Sequence, residues 1–310
     1  MEELDIYAPV VIPTLCRFEH FKRCVESLKK CSGAQKTELI IGLDYPKKPE
    51  HWEGYRKISE YIETISGFLK VTVLRADHNF GVGPNGNMNR LNKYARERYD
   101  RVIGTEDDNE FSPDFLEYMN KSLNKYKENP KVFAICGYNY PIDMGTYNKN
   151  VYASHEFSGW GTGRWFNKRF TINRDIMKSL LYSPKALFTL IRKRPGIVLT
   201  LIDMLNKNAL WGDTCHVVLA YVNDFYTITP SISMVRNHGH DGTGEHCGAT
   251  DLYINQIIDH NQNFELDDID IIQPKIKGLH DYFSISAYSF IRMIKWLLCF
   301  YYKDMFSKKK

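Results

Sequence analysis

Over its first 140 residues the chain alternates between short apolar runs and amphipathic stretches of helical period, and this alternation limits the fold more than any other feature. "YAPVVIPTLCR" reads as a strand ending at Pro13, and residues 18–31 as a helix with Phe18, Phe21, Val25 and Leu28 on one stripe. "TELIIGLDYP" is a buried strand, residues 50–66 are helical, "KVTVLRADHNFG" is strand and loop, Asn85 to Tyr99 is a helix, and "RVIGTEDD" is the next strand. Strands that alternate with helices predict an α/β fold, an open and mostly parallel sheet with helices on both faces. Ligands of such sheets bind beyond the carboxyl ends of the strands. Arg17, Asp44 and the run Glu106-Asp107-Asp108 all fall at or just past such ends.

Three adjacent carboxylates repel one another, and solvent or a bound cation must offset that cost. Oxygen ligands of this kind suit Mg2+ or Mn2+, with substrate phosphates completing the shell. The residues alone leave a second reading open, a solvated turn capping a helix that starts near Ser112-Pro113.

Composition narrows the classes. A net charge of +4 over 310 residues gives no argument for nucleic acid. The seven cysteines, Cys16, Cys24, Cys31, Cys136, Cys215, Cys247 and Cys299, show no zinc-type spacing and read as free thiols of a reducing compartment. "MEELDIYAPV" lacks the charged and apolar regions of a secretory leader, and no apolar run reaches the roughly 18 to 20 residues that cross a bilayer. The expectation is a cytoplasmic protein.

"VIGTEDDNEFSPDFLEYM" resembles the strand, acidic motif and helix of metal-dependent GT-A glycosyltransferases, and is especially similar to the Golgi N-acetylglucosaminyltransferase family that starts complex N-glycans. "APVVIPTLCRFEHFKRCVESL" resembles that family's opening strand, loop and helix, and "ELIIGLDYP" its second strand. "FSGWGTGRW" is similar to its Gly-rich acceptor-side loop, and "ALWGDTCHVV" to its Trp-x-Asp stretch, in the same order along residues 8–250. The resemblance implies a GT-A domain over residues 1–265, with a nucleotide-sugar-binding half to 140, an acceptor-binding half from 141 and a helical insertion at about 172–208. Residues 266–310 form a C-terminal extension.

It also implies roles. Asp108 is the metal ligand, Glu106 and Asp107 contact the donor's sugar and ribose, and Arg17 and Asp44 hold the nucleobase and its surroundings. Asp213 is the base of an inverting transfer, and Gly159, Trp160 and Gly161 face the sugar or acceptor. From the residues alone, Asp44 also suits a turn cap and Asp213 a helix N-cap, and His216 falls near Asp213 on one helical face. The family carries paired acids after its Trp, whereas Gly212 precedes Asp213 here. "VRNHGHDGTGEHCG" reads as a polar lid, with His246 foremost and His240 next as a further metal ligand.

"SISAYSFIRMIKWLLCFYYKDMFSKKK" mixes aromatic and aliphatic residues with Arg292, Lys295 and Lys303, as an interfacial basic helix does, and also as a core-packed helix with a solvated tail does. "SPKALFTLIRKRPGIVLTLIDMLN" shows a similar blend. The full expectation is an enzyme, a Mn2+- or Mg2+-dependent inverting glycosyltransferase. It would move sugar from a nucleotide-sugar, foremost a UDP-sugar, to a saccharide or lipid-linked acceptor at the inner membrane surface in polysaccharide biosynthesis. A sugar nucleotidyltransferase or a non-enzymatic carbohydrate-binding protein are the alternatives.

Overall fold

The computed structural model describes residues 6–83, 85–242, 250–261 and 263–307. Its first half follows the expected alternation: β1 (Val10–Thr14), α1 (Phe18–Lys29), β2 (Glu38–Leu43), α2 (His51–Ile62), β3 (Lys70–Arg75), α3 (Asn87–Arg96) and β4 (Arg101–Gly104). Every residue of β2 is buried, which is why that run is continuously apolar but for its first residue. In α1 the buried stripe is Phe21, Cys24, Val25 and Leu28, the face that meets the sheet.

After β4 come β5 (Asn109–Phe111), α4 (Phe115–Lys125), β6 (Val132–Cys136), β7 (Val151–Ser154) and β8 (Thr162–Trp165). The main sheet has eight strands in the order β3-β2-β1-β4-β8-β6, followed by β9 (Tyr226–Pro230) and β7. Strands β1 to β4 pair in parallel, whereas β8 lies antiparallel between β4 and β6. The segment "HEFSGWGTGRW", expected to be a loop throughout, therefore ends as a central strand. Its glycines permit that placement: a Cβ on Gly163 would come within 3.2 Å of Leu123 and Met119, and a Cβ on Gly161, whose φ is +66°, would meet Phe115 at 3.0 Å.

Residues 174–206 fold into three helices, α5 (Arg174–Tyr182), α6 (Pro184–Lys193) and α7 (Pro195–Asn206). Two of them start on local signals, the Asn173 side chain accepting from Ile176 N–H, and Ser183 capping α6 with Pro184 at its first position. With α8 (Gly212–Asn223) they enclose a second core around Met177, Leu190, Leu201 and Val218. A separate antiparallel pair joins β5 to β10 (Val235–Asn237), and α9 (Lys277–Phe283) and α10 (Ala287–Ser307) close the chain.

The last helix packs on the second core along one side only. Met293, Leu297 and Phe300 of α10 are buried in the second core, an attachment each such side chain stabilises by about 1.5–3 kcal/mol. Ile291, Leu298, Tyr302 and Met305 are exposed on its other side. No single described helix is long and apolar enough to cross a membrane. Among the described residues six cysteines are free.

Candidate active site

Because β1, β2 and β4 run parallel, the loops after them open on one edge of the sheet. Arg17 stands directly before α1, Asp44 directly after β2, and Glu106, Asp107 and Asp108 in the turn from β4 into β5.

The three acids are unequal. Asp107 and Asp108 are each only 6% exposed, and one Arg17 nitrogen, Nη2, donates to both, reaching Asp108 Oδ2 at 2.8 Å and Asp107 Oδ1. Thr14 Oγ1 donates to the other Asp107 oxygen at 2.9 Å. Burial works against the Arg17 charge, but Asp107 and then Asp108 more than offset it, so the guanidinium is held above its usual range. Burial likewise pushes the Asp107 carboxyl up, with Arg17 pulling the other way. Glu106 faces water at the mouth of a recess whose walls displace much of its hydration. That loss, then the charges of Asp108, Asp213 and Asp107, push its carboxyl up to about 8 against the pull of Arg17.

The β10 strand adds the other wall. Asn237 Nδ2 donates to Asp108 Oδ1 at 2.8 Å and to Asn109 Oδ1 at 2.9 Å, and His238 N–H donates to the Asp108 carbonyl at 2.8 Å. Gly239 then lies against the carboxylate: a Cβ there would come 2.1 Å from Asp108 Oδ2. Gly239→Ala is therefore expected to force Asp108 or the loop aside, at about 1–3 kcal/mol of overpacking. Thermal unfolding checks this, and an unchanged midpoint would count against the packing described here.

Asp213 sits in the first turn of α8, whose N-cap is Trp211, so it does not cap the helix. Its Oδ2 accepts from Gly159 N–H at 3.1 Å, and a Cβ on Gly159 would meet Oδ1 at 3.2 Å, so backbone and carboxylate are in close approach. Asp213 is exposed at the start of α8, yet the atoms packed about its carboxyl displace enough water to push it above its ordinary range, while Gly159 N–H and Arg164 pull it down. His216 turns the other way. Its ring stacks on Phe157 at 4.4 Å, it bonds the Gly212 carbonyl at 2.7 Å, and burial with Arg164 pushes it down to about 4.

The remaining expected residues divide. Asp44 accepts backbone N–H groups from Tyr45, Phe80 and Gly81, each at 2.8 Å, and so pins the loop between β3 and α3. Trp160 is half-buried in an aromatic cluster with Tyr138, Tyr253 and His240. Gly161 is buried against Phe115 and Val235 and accepts Gly137 N–H at its carbonyl. His246 lies outside the described residues.

Four residues of the recess carried no separate expectation: Thr14, Arg164, Asn237 and Gly239. Arg164 is legible only once its strand is seen to be central, and Asn237 and Gly239 were overshadowed by the histidines around them. Among the described residues no three His, Cys, Asp or Glu side chains converge as a ready metal cage, since Asp107 and Asp108 face Arg17. The donor chemistry still fits a divalent cation. The carboxylates of Glu106, Asp107, Asp108 and Asp213 outnumber the guanidiniums of Arg17 and Arg164, and Asp108 already holds a cationic group.

No curated protein matches the chain. Among solved structures, residues 1–349 of TarS from S. aureus are similar at 12% identity over 70% of this chain and 71% of that one, with a TM-score of 0.38. Mannosyltransferase PcManGT from Pyrobaculum calidifontis, solved in complex with GDP-Man and Mn2+, is similar at 15% identity over 56% of this chain and 46% of that one, with a TM-score of 0.34. The chain spans only 20% of a longer TarS structure, at 14% identity, 39% coverage of this chain and a TM-score of 0.30. These likenesses are distant, and nothing about substrate follows from them. The finer likeness to the Golgi enzymes is carried by the short motifs alone. What is established is broader: residues 10–190, more than half of the chain and including Arg17, Asp44 and the acidic run, match the family described as glycosyl transferase family 2. With its mixed, mostly parallel sheet between helices, the GT-A architecture, the chain belongs to glycosyl transferase family 2.

Proposed function

We propose that the chain is a metal-dependent inverting glycosyltransferase that moves a sugar from a nucleotide-sugar to a hydroxyl of a saccharide or lipid-linked acceptor. The observation that carries the reading is a run of contacts joining the two sides: Asp213 accepts Gly159 N–H, the adjoining Trp160 meets the His240 ring at 5.7 Å, and Gly239 just before it lies against Asp108 Oδ2. Donor-side acids and a candidate base thus share one cleft. The family match supports this over a nucleotidyltransferase or a carbohydrate-binding protein.

Asp108, with Asp107 beside it, would hold Mn2+ or Mg2+, and the ion when bound would stabilise negative charge on a leaving diphosphate, while Glu106 contacts the donor's sugar. The chain's own groups supply the rest. Arg17 and Asp107 position the donor's polar groups, Asp44 fixes the loop beside it, and Gly159 with Trp160 forms the acceptor side, where Gly161 holds the turn. Asp213 accepts the proton of the acceptor hydroxyl as that oxygen bonds the anomeric carbon. The carbon–oxygen bond to the phosphate breaks on the opposite face, and its electron pair leaves with the nucleoside diphosphate. An Asp213 carboxyl above the ordinary range is the stronger base for this task. Calorimetry with UDP-, GDP- and dTDP-sugars in the presence and absence of Mn2+ tests the reading, with metal-dependent binding of one nucleotide expected. No binding of any would remove the enzyme reading.

The proposed site of action is the inner face of the cytoplasmic membrane, and the outer side of α10 supports it. Its exposed stripe, Tyr288, Ile291, Ile294, Leu298, Tyr302 and Met305, runs beside Lys295, with Arg292 and Lys303 along the adjoining edge. Apolar side chains at acyl depth with cations at anionic head groups bind a bilayer surface without crossing it. At roughly 1 kcal/mol per cation, reversing Arg292, Lys295 and Lys303 to Glu should weaken binding to phosphatidylglycerol vesicles by more than about a hundredfold. Wild-type protein that fails to sediment with such vesicles would exclude this placement.

A further inference from the structure

We infer that Arg17 is a built-in counter-cation of the acidic pair and competes with the divalent ion for Asp108, so that the ion enters only as the guanidinium leaves. This rests on the proposed metal role of Asp108. The single Arg17 nitrogen that bridges Asp107 and Asp108 sits where a cation shared by these acids would sit. Asp108 has little else to offer an incoming ion. Its Oδ1 is engaged by Asn237 at 2.8 Å, its Oδ2 by Arg17 at 2.8 Å, and the backbone of Gly239 closes against Oδ2.

The pair is also well suited to holding without metal. Two carboxylates buried side by side, each 6% exposed, cannot remain ionised without a positive partner, and Arg17 supplies it from the loop after β1. A guanidinium is weakly hydrated and tolerates such burial better than an ammonium does. The same fit makes Arg17 an obstacle, because a hard divalent ion needs the oxygen lone pairs that the guanidinium occupies. Arg17 is thus a positioning residue whose metal-free partner is the acid pair.

The test is Mn2+ affinity without nucleotide, read from the free-ion electron paramagnetic resonance signal. Arg17→Met is expected to bind Mn2+ at least about tenfold more tightly than wild type, and Asp108→Ala in that background to abolish the gain. Arg17→Gln, neutral but still able to donate to one acid, provides the same comparison if the Met variant does not fold. Arg164→Met removes an equal charge near Asp213 without touching Asp108 and should change the affinity less than about threefold. Unchanged or weaker Mn2+ binding in the neutral Arg17 variants would overturn the inference, as would an equal gain in Arg164→Met. Mn2+ binding by wild type with UDP but no gain in those variants overturns the inference alone. Absence of Mn2+ binding in every protein, with or without UDP, overturns the metal reading as well.

Discussion

Asp213→Asn is expected to leave donor binding within about twofold of wild type and to lower turnover by roughly a hundredfold to ten-thousandfold, the span general bases contribute. Asn preserves the shape and can still accept Gly159 N–H, so the recess should keep its geometry. It cannot take the acceptor's proton. The acid limb of the pH profile provides a second readout. A base works deprotonated, so the rate should fall as pH drops through the Asp213 pKa. Loss of surrounding water holds that value above the ordinary aspartate figure of about 3.9, against Gly159 N–H and Arg164. The limb should therefore lie above that figure in wild type and vanish in the variant. Steady-state kinetics of kcat and kcat/KM across pH checks both, and a fully active Asp213→Asn would remove Asp213 as base.

The second large effect is at the other wall. Asp108→Ala should abolish metal-dependent donor binding, a loss of at least about a hundredfold by calorimetry, because Asp108 is the acid on which the ion proposal depends. The fold should survive, since Arg17 retains Asp107 as its partner and no buried charge is stranded. Asp107→Ala makes an instructive contrast. It leaves Arg17 on Asp108 and removes the acceptor of Thr14 Oγ1, so it should weaken the donor complex without eliminating its metal dependence. If Asp108→Ala keeps metal-stimulated binding while Asp107→Ala loses it, the two roles are exchanged.

Much of the site was legible because parallel strands deliver their loops to one edge. Once β1, β2 and β4 are read as parallel, Arg17, Asp44 and the acidic run must lie near one another. Less visible was what those residues touch. Asp44 was equally a binding residue or a turn cap, and it holds three backbone N–H groups of its own neighbourhood. Arg17 pairs with Asp107 and Asp108, contacts that its expected nucleobase role did not include. The glycines of "GWGTGRW" suggested an open loop, yet Gly163 is there because β8 passes close to α4, a contact between elements far apart along the chain.

The sequence by itself determined the alternation of elements, the α/β class and the kinds of chemistry available, because burial period and residue type are local properties. It also marked α10 as amphipathic and basic, though not that one side of it would be claimed by the helices of the second core. Tertiary structure alone decided which groups meet. Asn237 reaches Asp108 across 129 positions, Gly159 N–H reaches Asp213 across 54, and Arg17 reaches Asp108 across 91. Hydrogen bonds and ion pairs act over a few ångströms, so partners so distant along the chain are selected by sheet order and by the β5–β10 pairing, which no local pattern encodes.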